Sequence, residues 1–485
     1  MKMAPAVKHL YLINPGNPLV SMAKPSRWRK YRVWKPLGLM VIAALTPPEW
    51  EITLIDENLD EPEYARLPRP DLVGITAFTS QAPRAYEIAQ GFRMRNVPVV
   101  MGGIHASMCS DEALQHVDAV VTGEAEAIWK TVLDDAQHGS LKQIYKGSLV
   151  DLESVPAARH DLLSKGYAFG SIQTTRGCPL NCHFCSVSAF NGRSYRNRPI
   201  AAVIEEFRLI PERLVLVVDD NLIGTRPEHA ERAKELFRAM IVAGVKKRWI
   251  CQTTINLGDD EELLELAARA GCVGAFIGFE SLSNEGLVEI GKRYNIVKGG
   301  DLRASVRRIH KHGISIVGSF IIGLDDDTPG VGRRIAQAAE RYGIDLLNPI
   351  FLTPLPGTRL WNRMESEGRI AANRFPEDWR YYTLNFPVAR YQNLSWSQML
   401  AEMDDCWRAF YSPWQMLRRI FSGFRRWRRP GTLAIANLSY RRNFCNDRER
   451  LSELDLSRGE AWRRAEAFED VTADVPLLQP VLAGL

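Results

Sequence analysis

Thr174-Thr-Arg-Gly-Cys-Pro-Leu-Asn-Cys-His-Phe-Cys185 is a CxxxCxxC run that follows a short apolar strand pattern. Its three cysteines, Cys178, Cys182 and Cys185, govern the reading of the chain. Three thiolates from one loop hold three irons of a [4Fe–4S] cube and leave the fourth iron without a protein ligand, open to chemistry. A structural zinc site needs four closed ligands, and although His183 lies between the cysteines, no second CxxC or HxxxH pair follows. A disulfide framework fits less well: Cys109, Cys251, Cys272, Cys406 and Cys445 are scattered singly, and no secretory signal is read at the start.

Outward from this loop, residues 166–365 read as six strand-helix repeats. Strands are expected at Ser171–Thr175, Leu214–Val218, Trp249–Thr253, Ala275–Gly278, Ser315–Ile322 and Leu346–Leu352. That pattern is a partial (β/α)6 barrel of the TIM type, with its chemistry at the strands' C-terminal ends. The first strand feeds the cysteine loop, and others end in Asp219-Asp-Asn221, Gly278-Phe-Glu-Ser281 and Ser319-Phe-Ile-Ile-Gly323.

CxxxCxΦC, with aromatic Phe184 before the last cysteine, resembles the radical S-adenosylmethionine (SAM) enzymes. The resemblance implies that Cys178, Cys182 and Cys185 ligate a [4Fe–4S] cluster whose open iron chelates the amino and carboxylate groups of SAM. It implies that the reduced cluster cleaves SAM to methionine and a 5′-deoxyadenosyl radical, and that Phe184, Asp220, Asn221, Glu280 and Ser319 belong to this site. Asp219-Asp-Asn221 stands where other members carry the Gly-Gly-Glu that receives the SAM amino group. Glu280 has two readings: a contact to the SAM ammonium or ribose, or a charge satisfied by a nearby Arg or Lys at the barrel mouth. Its place at a strand's C-terminal end favours the first.

Residues 1–145 alternate strand patterns (His9–Ile13, Glu51–Asp56, Asp71–Ala77, Val97–Met101, Ala119–Thr122) with helical ones (Leu37–Leu45, Arg84–Arg95, Cys109–Gln115, Ala125–Ala136). This is a doubly wound, Rossmann-like α/β domain, which binds ligands beyond the carboxyl ends of its strands. The loops there hold Asn14, Thr79, Ser80, Gly102, Gly103, His105, Gly123 and Glu124. Their order, with Pro36-Leu-Gly-Leu39, Leu54–Asn58 and Gly74-Ile-Thr76, resembles the cobalamin-binding domain that precedes the barrel in one radical SAM subclass. The resemblance implies that these loops bind cobalamin. Many such domains carry Asp-x-His-x-x-Gly after the first strand, the histidine lying beneath the cobalt, whereas this loop reads Asn14-Pro-Gly-Asn-Pro-Leu-Val20. Cobalt is therefore expected without a histidine ligand, and His105 is read as a hydrogen-bonding loop residue.

Residues 146–165, with Val155-Pro156, read as a linker. Residues 366–485 read as a mainly helical region rich in Trp and Arg. In Trp414–Arg429, Trp414, Leu417, Phe421 and Phe424 recur at helical intervals among Arg418, Arg419, Arg425, Arg426, Arg428 and Arg429. Such a helix lies on an anionic membrane or packs on the barrel with a solvated basic face. The tail weakly resembles those of members acting on hopanoids or tetrapyrroles.

The chain has 485 residues and a net charge of +5, too mild to argue for nucleic acid. No window approaches the ~20 apolar residues of a membrane span, and a cytoplasmic protein, peripheral to the membrane at most, is expected. Together the resemblances imply a cobalamin-dependent radical SAM C-methyltransferase: methylcobalamin supplies the methyl group that a substrate radical collects, on a small-molecule or lipid substrate, with flavodoxin or ferredoxin as electron donor. The alternatives are a cobalamin-containing radical SAM cyclase or rearrangement enzyme, and a non-catalytic cobalamin or cluster sensor. An RNA methylthiolase fits poorly, since no second three-cysteine site precedes the barrel.

Overall fold

Six parallel strands form the first sheet: β1 (Lys8–Asn14), β2 (Trp50–Asp56), β3 (Leu72–Thr76), β4 (Val99–Gly102), β5 (Ala119–Thr122) and β6 (Ile144–Lys146). The computed structural model describes residues 7–17, 19, 34–298, 301–426 and 430–453. The strand order β2-β1-β3-β4-β5-β6 reverses direction between β1 and β3, the switch point where open α/β sheets take ligands. Apolar runs buried on both faces explain the parallel pairing. Leu10 and Leu12 of β1 join a core with Leu39 and Trp129, while Tyr11 and Ile13 face a second core with Ala85 and Phe92. The covering helices are α1 (Leu37–Leu45), α2 (Ala82–Arg93), α3 (Gly103–Met108), α4 (Ser110–Ala113) and α5 (Trp129–Gln137).

Two details differ from the sequence reading. The sixth strand straddles the expected linker boundary, because Ile144 and Tyr145 pair with Val120 and Val121. The single helix expected over Cys109–Gln115 is instead two short helices broken at Cys109, whose φ of −126° and ψ of 48° are not helical.

The second sheet is also parallel, in the order β14-β13-β12-β11-β10-β7. Its strands are β7 (Gly170–Ile172), β10 (Leu214–Val217), β11 (Arg248–Thr253), β12 (Cys272–Glu280), β13 (Ser315–Ile322) and β14 (Leu346–Phe351). The two edge strands do not pair, so the barrel is open. A short antiparallel pair, β8 (Thr175–Arg176) and β9 (Arg196–Asn197), brackets the cysteine loop. The first barrel strand thus ends at Ile172 rather than Thr175, since buried Asp219 accepts the Thr174 amide at 2.6 Å and draws the chain out of the sheet.

Helices α6 (Ser186–Phe190), α7 (Ile200–Leu209), α8 (Pro227–Val242), α9 (Glu261–Arg269), α10 (Asn284–Glu289), α11 (Arg293–Lys298), α12 (Leu302–Lys311), α13 (Val331–Tyr342) and α14 (Arg359–Ser366) follow the barrel strands. Beyond them, Trp379, Tyr382, Phe386 and Val388 are buried in a largely non-helical stretch. Helices α15 (Trp396–Phe410), α16 (Pro413–Arg426) and α17 (Pro430–Glu453) complete the described chain. A Ser395/Gln398 capping box starts α15, which packs on α13 with Glu402 accepting the Gly330 and Gly332 amides.

On α16 the expected apolar positions Trp414, Leu417 and Phe421 face outward, while Met416 and Arg419 are buried. The side chains of Phe424, Arg425 and Arg426, and all of Arg428 and Arg429, lie outside the described residues, as do Pro18 and Val20 of the loop after β1. No helix among the described residues is long and apolar enough to cross a membrane.

Candidate functional site

The cysteine loop is held from three sides. Asp219 accepts hydrogen bonds from Thr174 and, at 2.9 Å, from the Thr175 hydroxyl; burial pushes its carboxyl up to about 6 against these donors. Asp220 accepts from the Gly177 amide at 2.8 Å and from Asn191 at 3.0 Å. The expected SAM-site residue Asp220 therefore orders the turn that presents Cys178. On the far side the His183 ring meets the Glu289 carbonyl at 2.8 Å, its amide donates to Ile290 and its carbonyl accepts from Leu360. His183 is a clamp on the loop, tying it to the end of α10 and the start of α14.

All three thiols are free and partly exposed, and burial raises each: Cys182 to about 12, Cys185 to about 11, and Cys178 in the same direction. The Lys292 ammonium pulls all three down. No three His, Cys, Asp or Glu side chains among the described residues converge on a single-ion site, yet Cys182 feels the charge of Cys178 and Cys185, and Cys185 that of Cys178. Three neighbouring soft donors held apart, beside a buried cation that favours thiolate, fit a cluster with one iron per sulfur.

Beside the loop, the Glu280 carboxylate lies 2.6 Å from Lys292 Nζ, both side chains 8% exposed. Glu280 follows a register shift in β12 and has a φ of 69°, a conformation rarely held without a reason. Asn221 is buried near the Cys178 thiol; its Oδ1, with Thr253 Oγ1 and Asn295 Oδ1, is a buried polar atom without a hydrogen-bond partner. Each such atom costs about 1–3 kcal/mol, and two at the carboxyl ends of β10 and β11, with a third on α11 where Asn295 bonds the Gly278 and Phe279 carbonyls of β12, fit a polar ligand such as SAM. Ser319 is buried on β13 opposite Gly278, and Phe184 packs partly buried on the core. Lys292, Thr253 and Asn295 escaped the sequence reading because no motif spacing marks them.

At the first sheet, the carboxyl ends of β1, β3, β4 and β5 carry small or polar side chains, a fit for a bulky polar cofactor at the switch point. Asn14 donates to Asp56 at 2.9 Å, and Tyr167 from the barrel's approach donates to the same carboxylate. Gln81 donates to the Pro15 carbonyl at 2.6 Å and holds the Phe78 amide, ordering the turn that contains buried Thr79 and partly exposed Ser80. Phe78, 68% exposed on that loop, was missed although an apolar residue in a polar loop is a readable signal. Gly102 ends β4, and Gly103, at a φ of 88°, leaves no room for a Cβ, which would lie 2.5 Å from Thr76 Oγ1. Ser107 links this turn to the Gly123 amide at 3.0 Å.

His105 is fully buried, 2.9 Å from the Tyr86 hydroxyl and edge-on to Trp379. Glu124 is committed elsewhere than expected: its carboxylate receives Arg196, the Val150 amide at 2.7 Å, and Arg176 at 3.3 Å. Arg176 lies two residues before Cys178. Helix α3 also packs against α6, so the glycine turn of the first domain and the cysteine loop of the second are neighbours.

Comparison with known proteins agrees with this architecture. The Radical SAM superfamily matches residues 172–337, a B12 binding domain matches residues 31–133, and a domain of unknown function (DUF4070) matches residues 358–450. The bacteriochlorophyllide d C-12(1)-methyltransferase of Chlorobaculum tepidum is 32% identical over 355 residues, covering 69% of this chain and 74% of that protein. The hopanoid C-2 methylase of Rhodopseudomonas palustris is 29% identical over 393 residues, covering 79% and 72%. The structure of the cobalamin-dependent SAM radical enzyme OxsB, with aqua-cobalamin and SAM bound, superposes with a TM-score of 0.63 at 15% identity, over 96% of this chain and 75% of that one. With the cysteine loop, the open parallel barrel and the switch-point sheet in place, the chain belongs to the cobalamin-dependent radical SAM enzymes, whose cofactors are a [4Fe–4S] cluster, SAM and cobalamin.

Proposed function

We propose that this enzyme is a C-methyltransferase that methylates an unactivated carbon of a hydrophobic small molecule, of the lipid or tetrapyrrole kind for which its relatives are named. The observation that carries the reading is the packing of α3 on α6, which makes the two cofactor regions neighbours. When bound, the cluster and SAM supply a 5′-deoxyadenosyl radical, and cobalamin supplies the methyl group. In this reading Cys178, Cys182 and Cys185 hold the cluster, and Phe184, Asn221, Glu280 and Ser319 line the SAM site with Asp220 ordering its loop. Asn14, Thr79, Ser80, Gly102, Gly103 and Gly123 cradle cobalamin, His105 stands in their wall without touching cobalt, and Glu124 joins the two domains. Flavodoxin or ferredoxin is the electron donor, and contact with the membrane that holds a lipophilic substrate is part of the reading. Relatives named as methylases favour methyl transfer over cyclisation.

The test is anaerobic reconstitution with iron, sulfide and cobalamin, then mass spectrometry of cell extracts for products that gain a methyl group from labelled SAM. Replacing Cys178, Cys182 and Cys185 by Ala is expected to abolish the iron–sulfur absorption and SAM cleavage while cobalamin binding persists, because one face of the first sheet has a core of its own and these cysteines belong to neither core. A triple variant that still cleaves SAM would sink the cluster assignment; cleavage without any methylated product would favour the cyclase.

A further inference from the structure

Helices α16 and α17 divide their side chains in an unexpected way. Between Pro413 and Arg442 the sequence holds eight arginines and no aspartate or glutamate. The inward side of α16 is anchored by polar contacts. Buried Arg419 pairs with Glu340 of α13, donates to the Phe410 carbonyl at 2.8 Å and reaches Asn437 of α17 at 3.0 Å. Asn437 in turn donates to the Asp345 carbonyl, next to β14.

The outward side carries the large apolar groups. Trp414 is 73% exposed, Leu417 48% and Phe421 64%, and on α17 Ile435 is 58% and Leu438 56% exposed. Trp414, Leu417 and Phe421 follow i, i+3, i+7 and so form one stripe; Ile435 and Leu438 are one turn apart. Arg418, Arg441 and Arg442 are exposed on the same two helices. Apolar surface kept in water is unfavourable by roughly 25 cal/mol per Å², and exposed patches rimmed by charge mark interaction sites.

We propose that this helix pair docks the enzyme on an anionic lipid surface. Charge selects the occupant. A second copy of this chain would set Arg418, Arg441 and Arg442 against their own counterparts, whereas anionic headgroups over an acyl interior complement exposed arginines that share two helices with exposed apolar side chains. The role of the docking, access to a membrane-held substrate, rests on the reading of a lipophilic substrate; the docking itself does not.

The test is sedimentation of the full chain with vesicles of phosphatidylcholine plus phosphatidylglycerol, and with phosphatidylcholine alone. The protein is expected to pellet with the anionic vesicles at low ionic strength, to stay in solution with the neutral ones, and to be released by salt, which screens beyond about 10 Å at 0.1 M. Each of Arg418→Gln, Arg441→Gln and Arg442→Gln is expected to weaken binding roughly fivefold. Trp414→Ser with Leu417→Ser is expected to weaken it further while Tm holds, because these side chains lie outside the core. Wild-type protein left in the supernatant with anionic vesicles at low salt overturns the proposal, and so does binding that these substitutions leave untouched. A dimer that Trp414→Ser/Leu417→Ser dissociates assigns the face to a second copy and also overturns it. Release of 5′-deoxyadenosine from SAM, measured on the same reconstituted protein, separates the two claims: vesicle binding without SAM cleavage keeps the surface and fails the catalytic reading, and cleavage without vesicle binding does the reverse.

Discussion

Removing one member of a buried ion pair strands the other charge, at a cost of about 3–5 kcal/mol. Glu280 and Lys292 are such a pair, and burial that would lower the Lys292 ammonium is outweighed by Glu280 and the nearby Cys182 and Cys185. Lys292→Met is therefore expected to lower unfolding free energy by that amount in urea melts, and Lys292→Met/Glu280→Gln to recover most of it. SAM affinity of the reconstituted double variant decides between the two readings of Glu280. A tenfold or greater loss, about 1.4 kcal/mol, supports direct contact with SAM; an unchanged affinity leaves Glu280 as a satisfied charge at the barrel mouth. The carboxylate was legible from its strand end, and its partner was not. Eleven residues of turn and helix separate them in sequence, and only the fold of α10 and α11 returns Lys292 to the site.

Gly177 sits where β8 turns into the cysteine loop, and it shows what an element demands of one position. Its φ is 90°, and a Cβ there would lie 1.9 Å from the Ser194 carbonyl oxygen, before β9. Gly177→Ala is expected to open the β8–β9 pair and lower bound iron severalfold, with a stability loss above the ~1–2 kcal/mol of left-handed strain alone. Gly244→Ala is the control, since its φ is 63° and nothing lies within 4 Å of the added methyl. Equal iron content in the two variants would refute a requirement for Gly177. At this scale most barrel strands were readable from apolar runs and turn residues. The exceptions have local causes: β7 is shortened by the Asp219 carboxylate, which competes with the sheet for the Thr174 amide, and β6 is too short to show a period of its own.

Across the whole molecule, Glu124 with Arg176 and Arg196 ties the cobalamin domain to the entrance of the cysteine loop. Burial pushes the Glu124 carboxyl up, but hydrogen bonds from Arg196 and the Val150 amide, with the charges of Arg176 and Arg196, outweigh it and hold the pKa below its ordinary 4.5. A folded value below the unfolded one means that the unfolded chain takes up the proton first. The latch thus contributes fully above about pH 4.5 and is lost as pH falls through the folded value. Glu124→Gln is expected to destabilise the protein at pH 7 by about 3 kcal/mol, since buried Arg196 loses its carboxylate partner while Arg176 keeps Glu126 at 2.8 Å, and the difference from wild type should shrink in acid. In the reconstituted enzyme the variant should still cleave SAM while forming several-fold less methylated product per 5′-deoxyadenosine, because the cofactors are no longer held in register. An unchanged product ratio would mean that the latch serves stability alone.

The spacing of Cys178, Cys182 and Cys185 and the alternation of strands with helices determined the cluster ligands expected and the parallel sheets, because iron–sulfur ligation from one loop and strand periodicity are local properties of a chain; the class of reaction followed from the family resemblance those motifs carry. Tertiary structure decided what local pattern cannot encode: that Asp220 and His183 order the cysteine loop, that Glu124 bridges the domains, and that Trp414 and Leu417 face out rather than in. Each outcome depends on which distant group reaches a side chain first. For Glu124 that group was an arginine pair more than fifty residues away, and for α16 it was Glu340 and Asn437, which drew Arg419 inward and turned the apolar stripe to the outside.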